Sequence, residues 1–235
     1  MSFLTAEWRK LAIANYEIDD AILKPFIPAR TELDTWNGIN YVSLIGFLFV
    51  DTRLLGMTIP FHSTFEEVNL RFYVRFKENN EWKRGVVFIK EIVPKFAISL
   101  VANTLYHEHY ETQQMKHSWE NHPSFQRVQY QWKHRDQWQS MSVDSALNAS
   151  PILMGTEEAF ITEHYWGYTK VNANTTFEYE VRHPTWEAYQ IKQYQIEIDF
   201  GLVYGEVFGG LNQAEPKSVM LAEGSAISVE NKRKI

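Results

Sequence analysis

"EVNLRFYVRF", Glu67 to Phe76, is the stretch on which the reading of the fold turns. Val68, Leu70, Phe72, Val74 and Phe76 alternate with Glu67, Asn69, Arg71, Tyr73 and Arg75, a period of two that sets an apolar face against a polar one on a β-strand. "KENNEW" then supplies turn residues, and "KRGVVFIKEIV" brings the chain back. Glu67 to Val93 is therefore expected to be an antiparallel hairpin. Upstream, "DTWNGIN" carries an Asn37-Gly38 turn signal that leads into "YVSLIGFLFV", Tyr41 to Val50, which reads as a buried strand.

Working outward, further strands are expected near Leu11 to Ile18 and in "FQRVQYQWKHR", "QWQSMSVDSA", "TFEYEVRH" and "WEAYQIKQYQIEI". Helical signals are fewer. "DDAILKPFI" begins at a capping Asp19 and is closed by Pro28; "KFAISLVANTLY" has helical apolar spacing; "TEEAFITEHY" has Thr156 as N-cap and two glutamates in its first turn. This order predicts an α+β fold, mainly antiparallel β, closed into a barrel with a few short helices around a central pocket. Residues 1–235 contain no linker, repeat or low-complexity tract and read as a single domain, with 148–155 as the weakest seam.

Composition narrows the function classes. With 45% hydrophobic and 15% aromatic residues the chain can bury a substantial core. A net charge of −6 opposes generic nucleic-acid binding, which needs clustered Lys and Arg against phosphates. The absence of cysteine excludes thiolate metal sites and disulfides. The longest apolar run is about half the ~20 residues of a membrane helix, and the N-terminus lacks the basic-then-apolar order of a signal peptide. The expectation is a cytoplasmic protein without membrane or nucleic-acid partners, with homo-oligomerisation left open.

Three constellations could carry chemistry. The polar face of the Glu67 strand offers an acid/base, an amide, a cation and a hydroxyl, with His62 close in sequence; alternation alone fits either a solvated face or a cavity wall. "LYHEHYETQQMKH" holds His107 and His109, which on a strand would share one face while Glu108 points away, but no spacing ties in a third ligand from His117, His122, His62 or His183. No metal site and no cofactor is expected. In "FITEHYWGY", Glu163 on a helix would lie beside Phe160 and Trp166, where apolar surroundings raise a carboxyl pKa. Motifs for nucleophile elbows, P-loops and dinucleotide folds are missing.

Taken together, "ELDTWNGINYVSLIGF", "PFHSTFEEVNLRFYV", "RGVVFI", "LYHEHYETQQM", "FITEHYWGY" and "VRHPTW" make the chain resemble, nearly end to end, the YqjF-like family of bacterial proteins, a domain of unknown function. It departs from that pattern at His164, where the family commonly has arginine, and in "YHEHY", where the family has a Gly or Leu and then Pro. The family is distantly similar to acetoacetate decarboxylase, which implies an antiparallel barrel around a largely apolar pocket. It also implies that Glu67 matches a pocket glutamate and that Tyr110 stands where that enzyme carries its imine-forming lysine. A phenol forms no imine, and Lys116, six residues on, is about 20 Å away on an extended strand.

Two functional readings follow. One is a pocket that binds a small, partly apolar and anionic molecule through His62, Glu67, Asn69, Arg71, Tyr73, Tyr106 and Tyr110. The other is an enzyme on a small keto acid or lactone, with Glu67 or Glu163 as general acid or base and Tyr110 or His109 as relay. Decarboxylation through an imine is not expected.

Overall fold

A computed structural model describes residues 2–235. The chain runs β1 (Leu4–Glu17), α1 (Asp20–Leu23), β2 (Thr31–Leu33), β3 (Tyr41–Leu54), β4 (Met57–Thr58), β5 (Phe65–Glu78) and β6 (Glu81–Val93). It continues through α2 (Phe96–Val101), β7 (Tyr110–Thr112), β8 (Gln114–Asn121), β9 (Gln126–His134), β10 (Gln137–Pro151) and α3 (Glu157–Thr162). The last third holds β11 (Trp166–Asn172), β12 (Thr175–Arg182), β13 (Glu187–Glu197), α4 (Phe200–Tyr204), β14 (Ser218–Val229) and β15 (Arg233–Lys234). The α+β, mainly antiparallel expectation holds.

Local chemistry explains the turns. Asn37 and Gly38 both have positive φ, as do Asn79 and Asn80, so both predicted reversals use residues that tolerate the left-handed region. Asp19 caps α1 by accepting from the Ala21 amide, and Thr156 caps α3 by accepting from the Ala159 amide.

The strand order β12-β11-β6-β5-β3-β1-β14 closes on itself because β12 also pairs with β14 at Val181–Val229 and Arg182–Ser228. A ring of seven strands results, and β13, β10, β9 and β8 extend from β14 as a wing. The wing packs on the outside of the ring: Val128, Tyr130, Trp132, Met141 and Val143 share one buried cluster with Val68, Leu70, Phe72, Val74 and Phe76 of β5. At Gly46 of β3 an added Cβ would come within 2.8 Å of the Tyr130 ring, so only glycine lets the wing approach this closely. The apolar face of β5 is thus sealed by a second layer, and its polar face turns into the ring.

Candidate functional site

All seven ring strands contribute side chains to an internal cavity of about 210 Å³. Its walls are largely aromatic, with Trp8, Phe47, Phe49, Phe65, Phe88 and Trp186 among them. Its floor is polar. Glu67, Asn69 and Arg71 of β5, Glu91 of β6, and Glu108 and Tyr110 beyond α2 meet there, and the three glutamates are each less than 10% exposed.

Register places these groups in rows. Asn69 faces Glu91 across β5 and β6, and Glu91 faces Tyr110 across β6 and β7. Tyr110 is pinned through its backbone, since Asn103 donates to its carbonyl at 2.9 Å and accepts from its amide at 2.8 Å. After α2 the chain makes a π-helical turn over Ala102–Tyr106, and His107 at φ 59° reverses it. The expected strand across His107 to His109 therefore does not form. The histidines are exposed, and Glu108 is the residue that turns inward.

The carboxyls are held by donors. Glu67 accepts from Asn69 Nδ2 at 2.9 Å on Oε1 and from the Tyr110 hydroxyl at 3.1 Å on Oε2. Glu108 accepts on Oε1 from Thr169 Oγ1 at 2.6 Å and from the Tyr179 hydroxyl at 2.9 Å. Tyr179 reaches it because its cross-strand partner is Gly167, where a Cβ would collide with the phenol ring at 2.1 Å. Glu91 Oε2 has no partner in the protein.

Burial pushes the Glu67 carboxyl up to about 7, against the pull of its hydrogen bonds from Asn69 and Tyr110. Glu108 is likewise pushed to about 7 by burial, against Thr169 and Tyr179. Glu91 is raised well above the ordinary range by burial and then by its neighbours Glu108 and Glu67. Like charges this close in a dry site cannot all ionise, so the cluster retains protons near neutrality. Burial also raises both tyrosines, which stay protonated donors. Among the described residues lining the cavity, Arg71 is the only Arg or Lys.

Arg71 sits at the end of α3, donating from Nη2 to the Ile161 carbonyl at 3.2 Å, while its Nε is buried without a partner. Next to it His164, which also lines the cavity, bonds through Nε2 to Asp34 Oδ2 at 3.0 Å, and Arg84 Nε donates to the same oxygen at 2.6 Å. Burial works to raise the Asp34 carboxyl, but these two hydrogen bonds outweigh it and hold it below the ordinary range. Burial pushes the imidazole down to about 4, against its hydrogen bond to Asp34. His164 is therefore neutral at neutral pH, with its proton on the nitrogen facing Asp34.

The model of the DUF2071 family, described as an uncharacterized conserved protein, matches residues 5–226. This chain is a member of that family. The "Uncharacterized protein YqjF" of Bacillus subtilis (strain 168) is 32% identical over 110 residues, which are 46% of this chain and 44% of that protein. The chain therefore matches less than half the length of this curated relative. Among solved structures, acetoacetate decarboxylase from Legionella pneumophila superposes with a TM-score of 0.68 at 10% identity, covering 99% of this chain and 86% of that one. The enduracididine biosynthesis enzyme MppR, complexed with pyruvate, gives 0.68 at 10% identity over 100% and 91%. These likenesses show the fold, in agreement with the ring described above.

Within this DUF2071 chain the structure brings Glu67, Asn69, Arg71, Tyr106, Tyr110 and His62 to the cavity, with His62 in the exposed loop after β4. Two expectations are corrected. Tyr73 shares the parity of Arg71 but does not line the cavity; its hydroxyl bonds Ser43 Oγ at 2.7 Å and its ring packs on Phe160 and His164. Glu163 is not on a helix: α3 ends at Thr162, Glu163 takes φ −92° and ψ 45°, and its carboxylate pairs with the Tyr165 hydroxyl away from the cavity. The same step puts His164 inside. Glu91, Glu108, Tyr179 and His164 are site residues that sequence reasoning missed.

Proposed function

We propose that the cavity binds a small oxygenated organic molecule and moves protons on it, with Glu67 and Tyr110 as the acid–base pair and Arg71 holding an anionic group. The observation that carries this is the gathering of three buried carboxyls with two phenols, Tyr110 on Glu67 and Tyr179 on Glu108, on the floor of an otherwise apolar cavity. Burying such groups is costly for folding, and perturbed clusters of this kind are characteristic of proton-transfer sites. A protonated and an ionised carboxyl side by side can donate to one substrate atom and accept from another. The apolar walls suit the carbon skeleton of a keto acid or lactone, and the solved neighbour that holds pyruvate shares this fold.

No lysine is among the lining residues, so the proposed chemistry avoids an imine. The test is turnover of a panel of 2-oxo acids and lactones, together with borohydride trapping. The expected result is activity in the wild type, loss of at least about 100-fold in Glu67→Gln with the fold intact, and no borohydride-trapped adduct. Turnover unchanged in Glu67→Gln, or a substrate reduced onto a lysine, would sink the proposal.

A further inference from the structure

The cavity sorts its lining by depth. Glu67, Arg71, Glu91 and Glu108 are the only Asp, Glu, Lys or Arg among the described lining residues, and all four belong to the floor. Ile59, which lines the cavity and is itself 42% exposed, marks the mouth, as does the exposed Ala97 of α2. Between floor and mouth the β3–β5 register gives the order: Arg71 faces Ser43, Asn69 faces Ile45, Glu67 faces Phe47, and Phe65 faces Phe49. From Glu67 towards the mouth the walls are mainly apolar, with Phe49, Leu54, Phe65, Ile98 and Val101 among them. β3 alone lines this passage from Phe47 to Leu54, roughly 20 Å along an extended strand.

The backbone keeps charge out of the passage. Strict alternation after Phe47 and Phe49 would turn Asp51 and Arg53 inward. A bulge prevents it: Asp51 takes φ 52°, and the β1–β3 register steps from Glu7–Val50 to Thr5–Arg53. Thr52 and Leu54 therefore line the wall, and Asp51 and Arg53 are exposed. At α2 and the π-helical turn after it, no charged side chain occurs from Phe96 to Tyr106, and this segment gives Ala97, Ile98, Val101 and Ala102 to the lining.

A molecule of the size of pyruvate would occupy the floor and leave the passage unfilled. A cavity of about 150 Å³ already encloses benzene, which like pyruvate has six non-hydrogen atoms. This one measures about 210 Å³ and opens at Ile59. Filling it takes an apolar group joined to the oxygenated head. We infer that the cavity takes a chain-bearing acid, whose unbranched apolar tail of about six or more carbons runs from the carboxyl floor along the passage to the mouth. This rests on the reading of the cavity as a site for an oxygenated molecule and names what the rest of that molecule is. A chain fixed along the passage leaves only its oxygenated end at the floor, which orients the head for the carboxyl cluster.

The experiment measures binding to the full chain by calorimetry, with unbranched 2-oxo acids of four, six, eight, twelve and sixteen carbons and the matching alkan-2-ones, all below the concentrations at which they form micelles. Affinity is expected to climb about four-fold per methylene, at least about 100-fold from 2-oxobutanoate to 2-oxooctanoate. It levels off between twelve and sixteen carbons, where the chain exceeds the space enclosed. The ketones climb in parallel at lower affinity. Ala97→Trp places bulk at the mouth on an exposed position and should lower the ratio of eight-carbon to four-carbon affinity at least ten-fold.

Affinities within about three-fold from four to eight carbons, no binding of either series, or a ratio unchanged in Ala97→Trp would overturn the inference. A climb that continues unbroken to sixteen carbons would do the same, because it marks adsorption to exposed apolar surface. A flat series whose four-carbon acid still binds and turns over leaves the acid–base reading of the floor standing. Conversely, a climbing series without turnover removes that chemistry and keeps the tail passage, and ketones that climb while the acids do not bind remove Arg71 as the anion clamp and keep it too.

Discussion

The two faces of β5 are built from the same ten residues and meet opposite environments. Val68, Leu70, Phe72 and Val74 are sealed under the wing by Tyr130 and Trp132, whereas Glu67, Asn69 and Arg71 floor a cavity inside the ring. Both faces are buried, so the polar face is not the solvated side that such alternation ordinarily marks. One face contributes stability through dry packing. The other costs stability and holds chemistry, and the contrast sets out four measurements.

The largest effect is expected on the dry face. Phe72→Ala leaves a cavity beneath the wing and should lower unfolding free energy by about 3–5 kcal/mol in denaturant titration. A loss below about 1 kcal/mol would mean that the wing does not cover β5.

Glu67→Gln should act in the opposite direction and depend on pH. The carboxyl titrates at about 7 in the folded chain against an ordinary 4.5, so the unfolded state ionises first and wild-type stability falls as pH rises from 4.5 through 7. The variant lacks that slope. It should match the wild type near pH 5 and exceed it by about 3 kcal/mol above pH 7. A constant difference across this range would show that Glu67 is ionised throughout.

His164 gives the mirror image. Its folded pKa of about 4 lies below the ordinary 6.5, so its contribution is complete above 6.5 and is lost as pH falls towards 4. His164→Phe should recover about 2 kcal/mol relative to wild type between pH 7 and pH 5. The two slopes oppose each other between 4.5 and 6.5, so the wild-type profile is flatter there than either variant alone.

The smallest effect belongs to Arg75. It has the parity of Glu67 but lies beyond the cavity, pairing with Glu32 at 2.6 Å where both side chains are over a third exposed. Arg75→Ala should cost under about 1 kcal/mol at any pH. A larger loss would place Arg75 in the buried floor rather than on its outer continuation.

What could be read from the sequence, and what could not, divides at irregular backbone. Glu67, Asn69 and Arg71 were legible because strand alternation and a family pattern both mark them, and Tyr110 because the family pattern does. Glu91 was not, because a bulge between β5 and β6 shifts the register after Leu70–Lys90 to Arg71–Phe88, skipping Ile89. The parity of β6 changes there, so Val86 and Phe88 line the cavity on one side of the bulge and Glu91 on the other. Glu108 was hidden by the π-helical turn and the left-handed His107, which turn it inward where a strand would have turned it out. His164 and Glu163 exchanged places when α3 stopped at Thr162.

The sequence by itself determined the strands, their turns and the apolar–polar alternation of Glu67 to Phe76, because these are local properties of side-chain period and turn chemistry. Only the tertiary structure decided that the polar face turns inward and that Glu91, Glu108 and His164 join it. Closing the ring through β12 and β14 and covering its outside with the wing are contacts between residues far apart in the chain. Bulges and left-handed residues then set which side chains the closed ring admits, and no local period encodes them.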